Sequence, residues 1–127
     1  MALLGLRHLA LRVNDPQASK KFYSDCFDMS VVWEPDADNV YLSSGVDNLA
    51  LHRAPGVTAG ALDHLGFIVG SKEDVDLLAE RFRGRGVHIA AEPRDHRDGS
   101  RSFYCLDPDG LRIQVLYEPT LSRQTIR

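Results

Sequence analysis

Two octapeptides of the chain, Leu6-Arg7-His8-Leu9-Ala10-Leu11-Arg12-Val13 and Leu62-Asp63-His64-Leu65-Gly66-Phe67-Ile68-Val69, share the pattern Leu-x-His-Leu-x-x-x-Val. Each sets one imidazole in a run of alternating bulky residues. Imidazole nitrogen suits zinc, iron, nickel and manganese at about 2.0–2.2 Å, and an open site takes two or three protein ligands plus exchangeable water. A lone histidine on a strand is ordinarily a hydrogen-bonded polar residue. Two at matched repeat positions point instead to His8 and His64 as ligands of a divalent metal, with a polar cavity lacking metal as the alternative.

The elements that must position these rings follow from the repeat, which extends past the octapeptides. Alternating apolar residues make each octapeptide a strand. After the first, Asn14-Asp15-Pro16 offers a helix cap and a proline suited to the first helical position, followed by Ala18, Phe22 and Cys26 at helical spacing. After the second, Ser71-Lys72-Glu73-Asp74 resembles a capping box, followed by a stripe of Val75, Leu78, Ala79 and Phe82. Short extended segments come next, about 30–33, 40–43 and 48–53 in the first unit and 87–91, 102–106 and 112–118 in the second. Pro35-Asp36, Gly45, the stretch from Pro93 to Gly99, and Asp107-Pro108-Asp109-Gly110 divide them. The order is β-α-β-β-β twice, an α+β fold of one domain with modules at about 5–55 and 61–119. Residues 56–60 read as the linker and 120–127 as a polar tail. About 60 residues bury too little surface for either half to be stable alone.

Strand parity assigns the faces. Leu9, Leu11 and Val13 form an apolar row for the helix, leaving His8, Ala10 and Arg12 opposite. In the second unit Leu65, Phe67 and Val69 form the row, with His64 opposite. In the last strand Ile113, Val115 and Tyr117 form the row, with Gln114, Leu116 and Glu118 opposite. The same rule sets Ala50 and His52 across from Leu49 and Leu51, and Tyr104 across from Phe103 and Cys105. If both sheets curve alike, His8, His64 and Gln114 converge in one concave cavity.

Composition bounds the remaining functions. The 127 residues are 43% hydrophobic and 26% charged, with net charge −3 and pI about 5.9, which excludes intrinsic disorder, collagen and low complexity. Basic and acidic residues interleave, so no nucleic-acid footprint stands out. No run of about 18 apolar residues is present to span a membrane, and the opening segment meets Arg7 and His8 too soon for a signal peptide. Cys26 and Cys105 lack any metal-ligand or redox spacing and read as reduced, buried thiols, in keeping with a cytoplasmic protein.

The two-unit order, the paired histidines and the segment Phe103-Tyr104-Cys105-Leu106-Asp107-Pro108-Asp109-Gly110-Leu111-Arg112-Ile113-Gln114 resemble the vicinal oxygen chelate superfamily. It includes glyoxalase I, extradiol dioxygenases, fosfomycin-resistance proteins, methylmalonyl-CoA epimerases and bleomycin-resistance proteins. The resemblance spans about residues 5–119. It implies two modules forming a cupped mixed sheet with outer helices, a divalent metal (iron, manganese, zinc or nickel) on His8, His64 and Gln114, a small-molecule substrate, and a homodimer.

The extradiol dioxygenases resemble the closing segment most, with a histidine before a Phe-Tyr pair, then Asp-Pro-x-Gly and a glutamate ligand. That resemblance makes His96 an acid/base and Tyr104 a hydrogen-bond donor to substrate or oxygen. Gln114 stands where glutamate is expected, and Arg94 also departs from the signature. Glutamine supplies a carbonyl oxygen without charge, so the metal would keep its full dication and favour an anionic chelating ligand such as a catecholate. Glu118 shares Gln114's face but lies about 13 Å further along the strand.

A glyoxalase I-like lyase or isomerase calls for carboxylates where this chain has Gln114 and Ala50, neither of which takes a proton. His52 is displaced from that position by two residues. A metal-free ligand-binding protein like the bleomycin-resistance group is the third reading. Trp33, Tyr41 and Phe103 would then line its pocket.

Overall fold

The computed structural model describes residues 4, 6–58, 60 and 62–122. Parts of the opening segment, the linker and the tail named above, at 1–3, 5, 59, 61 and 123–127, lie outside the described residues. The elements run β1 (His8–Val13), α1 (Pro16–Phe27), β2 (Ser30–Asp36), β3 (Asn39–Ser43), β4 (Asn48–Arg53), β5 (His64–Ile68), α2 (Lys72–Gly84), β6 (Ile89–Asp95), β7 (Arg101–Leu106) and β8 (Arg112–Tyr117). This is the tandem β-α-β-β-β order read from the repeat. The chain falls into two compact units, one ending at Val57 and one beginning at Thr58.

Each unit carries one mixed sheet, in the order β1-β4-β3-β2 and β5-β8-β7-β6. The first strand pairs in parallel with the last, and the hairpin strands pair antiparallel. In the first unit α1 packs on β3 and β4, and in the second α2 packs on β6, β7 and β8. Parity holds in both. Val13, Val40, Leu42, Leu49 and Leu51 are buried in the first unit, and Val75, Ala79, Phe82, Phe103, Cys105, Ile113 and Val115 in the second. His8, His64 and Gln114 lie on the opposite faces of their sheets.

Both helices start where the capping chemistry places them. Asp15 accepts from the amides of Gln17 at 3.0 Å and Ala18 at 3.4 Å, with Pro16 at the first position. Ser71 accepts from the amide of Asp74 at 3.2 Å. The buried face of α1, however, is not Ala18, Phe22 and Cys26. It is Pro16, Ser19 and Tyr23, while Ala18 is exposed and Cys26 only half-buried. Tyr23 carries far more apolar surface than Ala18, and its ring stacks among Phe22 and Phe27, so burying it fixes the rotation of the helix. Ser19, one turn earlier, is small enough to pack under it.

The prolines also sit differently from expectation. Pro35 and Pro93 do not end strands. They lie inside β2 and β6, the outer strands of their sheets, which therefore run to Asp36 and Asp95. An edge strand tolerates a residue without an amide hydrogen because one side of it has no neighbour. The register shifts in both hairpins, between Val31 and Asp36 and between Ile89 and Arg94. The repeat thus extends to its irregularities.

Candidate functional site

Each unit presents, on the face away from its helix, three rows of side chains defined by strand register. In the second unit the rows are His64, Arg112 and Leu106; then Gly66, Gln114, Tyr104 and Ala91; then Ile68, Leu116, Ser102 and Arg94. In the first they are His8 and Asn48; then Ala10, Ala50, Tyr41 and Trp33; then Arg12, His52 and Asn39. Ala50 is therefore the positional equivalent of Gln114, and Tyr41 of Tyr104.

Both histidines are held through the same nitrogen. Nδ1 of His8 lies 2.9 Å from Oδ1 of Asn48, its register partner on β4. Nδ1 of His64 lies 2.6 Å from Oδ2 of Asp63. An acceptor oxygen on Nδ1 holds the proton there and leaves Nε2 with its lone pair, the tautomer a metal requires, and a carboxylate partner makes that nitrogen a stronger ligand. His64 is 33% exposed at its side chain.

Gln114 is placed by the turn that precedes it. Asp107 accepts from the amides of Asp109 at 2.9 Å and Leu111 at 2.8 Å, and Gly110 takes φ +83°, a left-handed conformation in which glycine is unstrained. This tight turn launches β8 in register with β5, opposite Gly66. Because Gly66 has no side chain, the Gln114 amide lies over it. A Cβ built at Gly66 would meet Oε1 at 3.8 Å. Tyr104, beside Gln114 on β7, sets its ring edge-to-face against His64 with centroids 5.4 Å apart. The guanidinium of Arg112 lies over the same ring at 5.0 Å.

The structure thus brings together three of the residues singled out in the sequence, His64, Gln114 and Tyr104. His96 stands apart from His64. It sits in the β6–β7 turn with Nε2 2.9 Å from Oγ of Ser102, one row beyond Gln114 and two beyond His64. His8 is an exposed residue at the start of β1 in the other unit.

Among the described residues no three His, Cys, Asp or Glu side chains gather as a metal site. In the second unit the His64 imidazole and the Gln114 amide oxygen lie on one face of the sheet, and in the first unit His8 holds the position equivalent to His64.

Three further side chains singled out in the sequence have defined surroundings. Phe103 is fully buried against Phe82 of α2, so it lines no pocket on the site face. His52 bonds Asn39 through Nδ1 at 2.7 Å and sets its ring edge-to-face against Tyr41. Glu118 caps the following turn, accepting from the Thr120 hydroxyl and the Leu121 amide, which holds its carboxyl below the usual range. Sequence reasoning missed Asn48, Asp63 and Arg112. Asp63 adjoins His64 and was legible as a partner, but Asn48 and Arg112 become neighbours of the histidines only through strand register.

The chain belongs to the Glyoxalase/Bleomycin resistance protein/Dioxygenase superfamily, whose family model matches residues 5–115. Among solved structures, a lactoylglutathione lyase from Agrobacterium tumefaciens is 25% identical, with TM-score 0.75 over 89% of this chain and 92% of its own. The fosfomycin resistance protein FosX from Listeria monocytogenes shares the fold at TM-score 0.79 and 20% identity, over 97% of this chain and 100% of its own. A Brassica oleracea var. gemmifera protein named "Putative lactoylglutathione lyase" is 25% identical over 120 residues, or 86% of this chain. The chain spans only 43% of that relative's length.

Proposed function

We propose that this chain is a divalent-metal-dependent, small-molecule-binding protein of its superfamily, with His8, His64 and Gln114 as the metal ligands and a phenolic or other oxygen-chelating compound as substrate. The observation that carries this reading is the pair of histidines locked at Nδ1 by Asn48 and Asp63. When bound, the metal supplies Lewis-acid polarisation of the substrate's oxygens.

The chain's own residues do the rest. The ligand ring lies over the central row, where Gly66 and Ala91 leave room on either side of Gln114 and Tyr104. The Tyr104 hydroxyl donates to a ligand oxygen, and its ring packs on His64 and keeps that imidazole from turning. From the central row, His64 and the Ser102–His96 pair are each one row away, about 6.6 Å along the strands. A phenolic ring over the central row can therefore reach the metal end while His96 exchanges a proton from the row beyond. This arrangement supports extradiol-dioxygenase-like chemistry on iron or manganese.

A lyase or isomerase reading on zinc, nickel or manganese is favoured by the 25% identical relatives, whose names are lactoylglutathione lyase. The central rows count against it, since Gln114 and Ala50 offer no carboxylate to abstract a proton from carbon.

Metal analysis after loading with iron, manganese, zinc or nickel tests the proposal. About one equivalent is expected, and less than about a tenth would leave a metal-free binding protein as the better account. With metal bound, oxygen uptake across a panel of catechols supports ring cleavage. Isomerisation of a thiol adduct without oxygen uptake would assign the lyase class instead.

A further inference from the structure

Building on the metal-site reading above, we infer that Arg112 is an anion-binding residue of this site and that the ligand carries a carboxylate in addition to its chelating oxygens.

The repeat isolates Arg112. Its equivalent in the first unit is Asn48, which is used to hold His8. In the second unit that task belongs to Asp63, so Arg112 is not needed to orient His64. The guanidinium lies 5.0 Å from the Tyr104 ring centroid, and the His64 ring lies 5.4 Å from the same centroid. Guanidinium and imidazole are thus no farther apart than those two distances together, a span that one aromatic ring with a substituent at each end bridges.

The contact with Tyr104 restrains a long side chain before any ligand arrives, and Arg112 is an exposed residue. Arg101 and Arg83 are engaged by Asp76 and Asp95 and by Glu80 and Glu92, respectively. Among the described residues Arg112 has no carboxylate partner. The three rows of the second unit's face contain no acidic residue and two arginines, Arg112 and Arg94. Asp63, which adjoins His64, is bonded to it. A dication held by neutral ligands adds to this positive field. A planar guanidinium fork matches a planar carboxylate through two parallel hydrogen bonds.

Calorimetric titration of the metal-loaded protein with 1,2-dihydroxybenzene and 3,4-dihydroxybenzoate tests the inference, with metal content measured for each sample. The wild type is expected to bind the benzoate about ten- to a hundredfold more tightly. Arg112→Gln should bring the benzoate to the affinity of the unsubstituted ring, and Arg112→Lys should keep part of the preference. Equal affinities in the wild type, or a preference that persists in Arg112→Gln, would overturn the role of Arg112 while leaving the metal site standing. Failure to take up metal, or to bind either ring, would overturn the metal-site reading and this inference with it.

Discussion

Replacing Gly66 by alanine and by valine separates a ligand role for Gln114 from a merely structural one. A Cβ at residue 66 meets Oε1 of Gln114 at 3.8 Å, an ordinary contact, and Ala10 already occupies the equivalent position of the first unit opposite Ala50. Gly66→Ala should therefore leave metal affinity within about twofold. Valine adds two γ-carbons, each about 1.5 Å beyond Cβ. One directed at the amide would bring carbon to about 2.5 Å from Oε1, so the oxygen must retreat by roughly 1 Å, whereas metal–ligand distances tolerate about 0.2 Å. Gly66→Val should weaken metal binding about 10- to 100-fold. Residue 66 is exposed, so a β-branched side chain there should change stability by no more than about 1 kcal/mol. The assay is competition with a chromogenic chelator alongside urea denaturation. Wild-type metal affinity in a folded Gly66→Val protein would refute the placement of Gln114 in the coordination sphere.

Other perturbations probe the neighbouring parts. Gln114→Glu restores a negative charge to the ligand set and should tighten metal binding by about tenfold or more; an unchanged affinity in the same chelator competition would mean the side chain is not a ligand. Asp63→Ala removes the acceptor oxygen that holds Nδ1 of His64 and should cost about 10- to 100-fold in metal affinity with little effect on the urea midpoint, because Asp63 is an exposed residue. Asp98 has its pKa lowered by hydrogen bonding to Ser100, first through the side chain and then through the backbone, so the folded state takes up its proton less readily than the unfolded chain. Its contribution to the turn that carries His96 is therefore present above the ordinary carboxylate range of about 3.9 and lost as pH falls through the lower folded value. Asp98→Asn should be less stable than wild type near neutrality, and the difference should vanish in strong acid; a pH-independent difference in urea midpoint would contradict this.

The elements legible in the sequence were those with a local cause. Asp15, Pro16 and Ser71 start helices through bonds to residues two or three positions away, and the alternation around His8, His64 and Gln114 assigns faces without knowledge of partners. What stayed hidden depends on partners. Pro35 and Pro93 read as breaks because a proline's cost in a strand is set by whether a neighbour needs its amide, and that follows from sheet order. The rotation of α1 turned on Tyr23, whose amphipathic ring competes with Phe22 for the core. Asn48 reaches His8, and Arg112 comes to flank His64, only through the parallel register of each unit's first and last strands. Phe103, named for a pocket, is core, as the parity that groups it with Cys105 already indicated.

In the proposed site two equivalent histidines present Nε2 to a metal because Asn48 and Asp63 occupy their Nδ1 atoms. Crystals grown with manganese or zinc and measured at the metal's absorption edge test it most directly. An anomalous peak is expected about 2.0–2.2 Å from Nε2 of both His8 and His64. A peak on Nδ1 of either ring, or none at these residues in metal-saturated crystals, would contradict it.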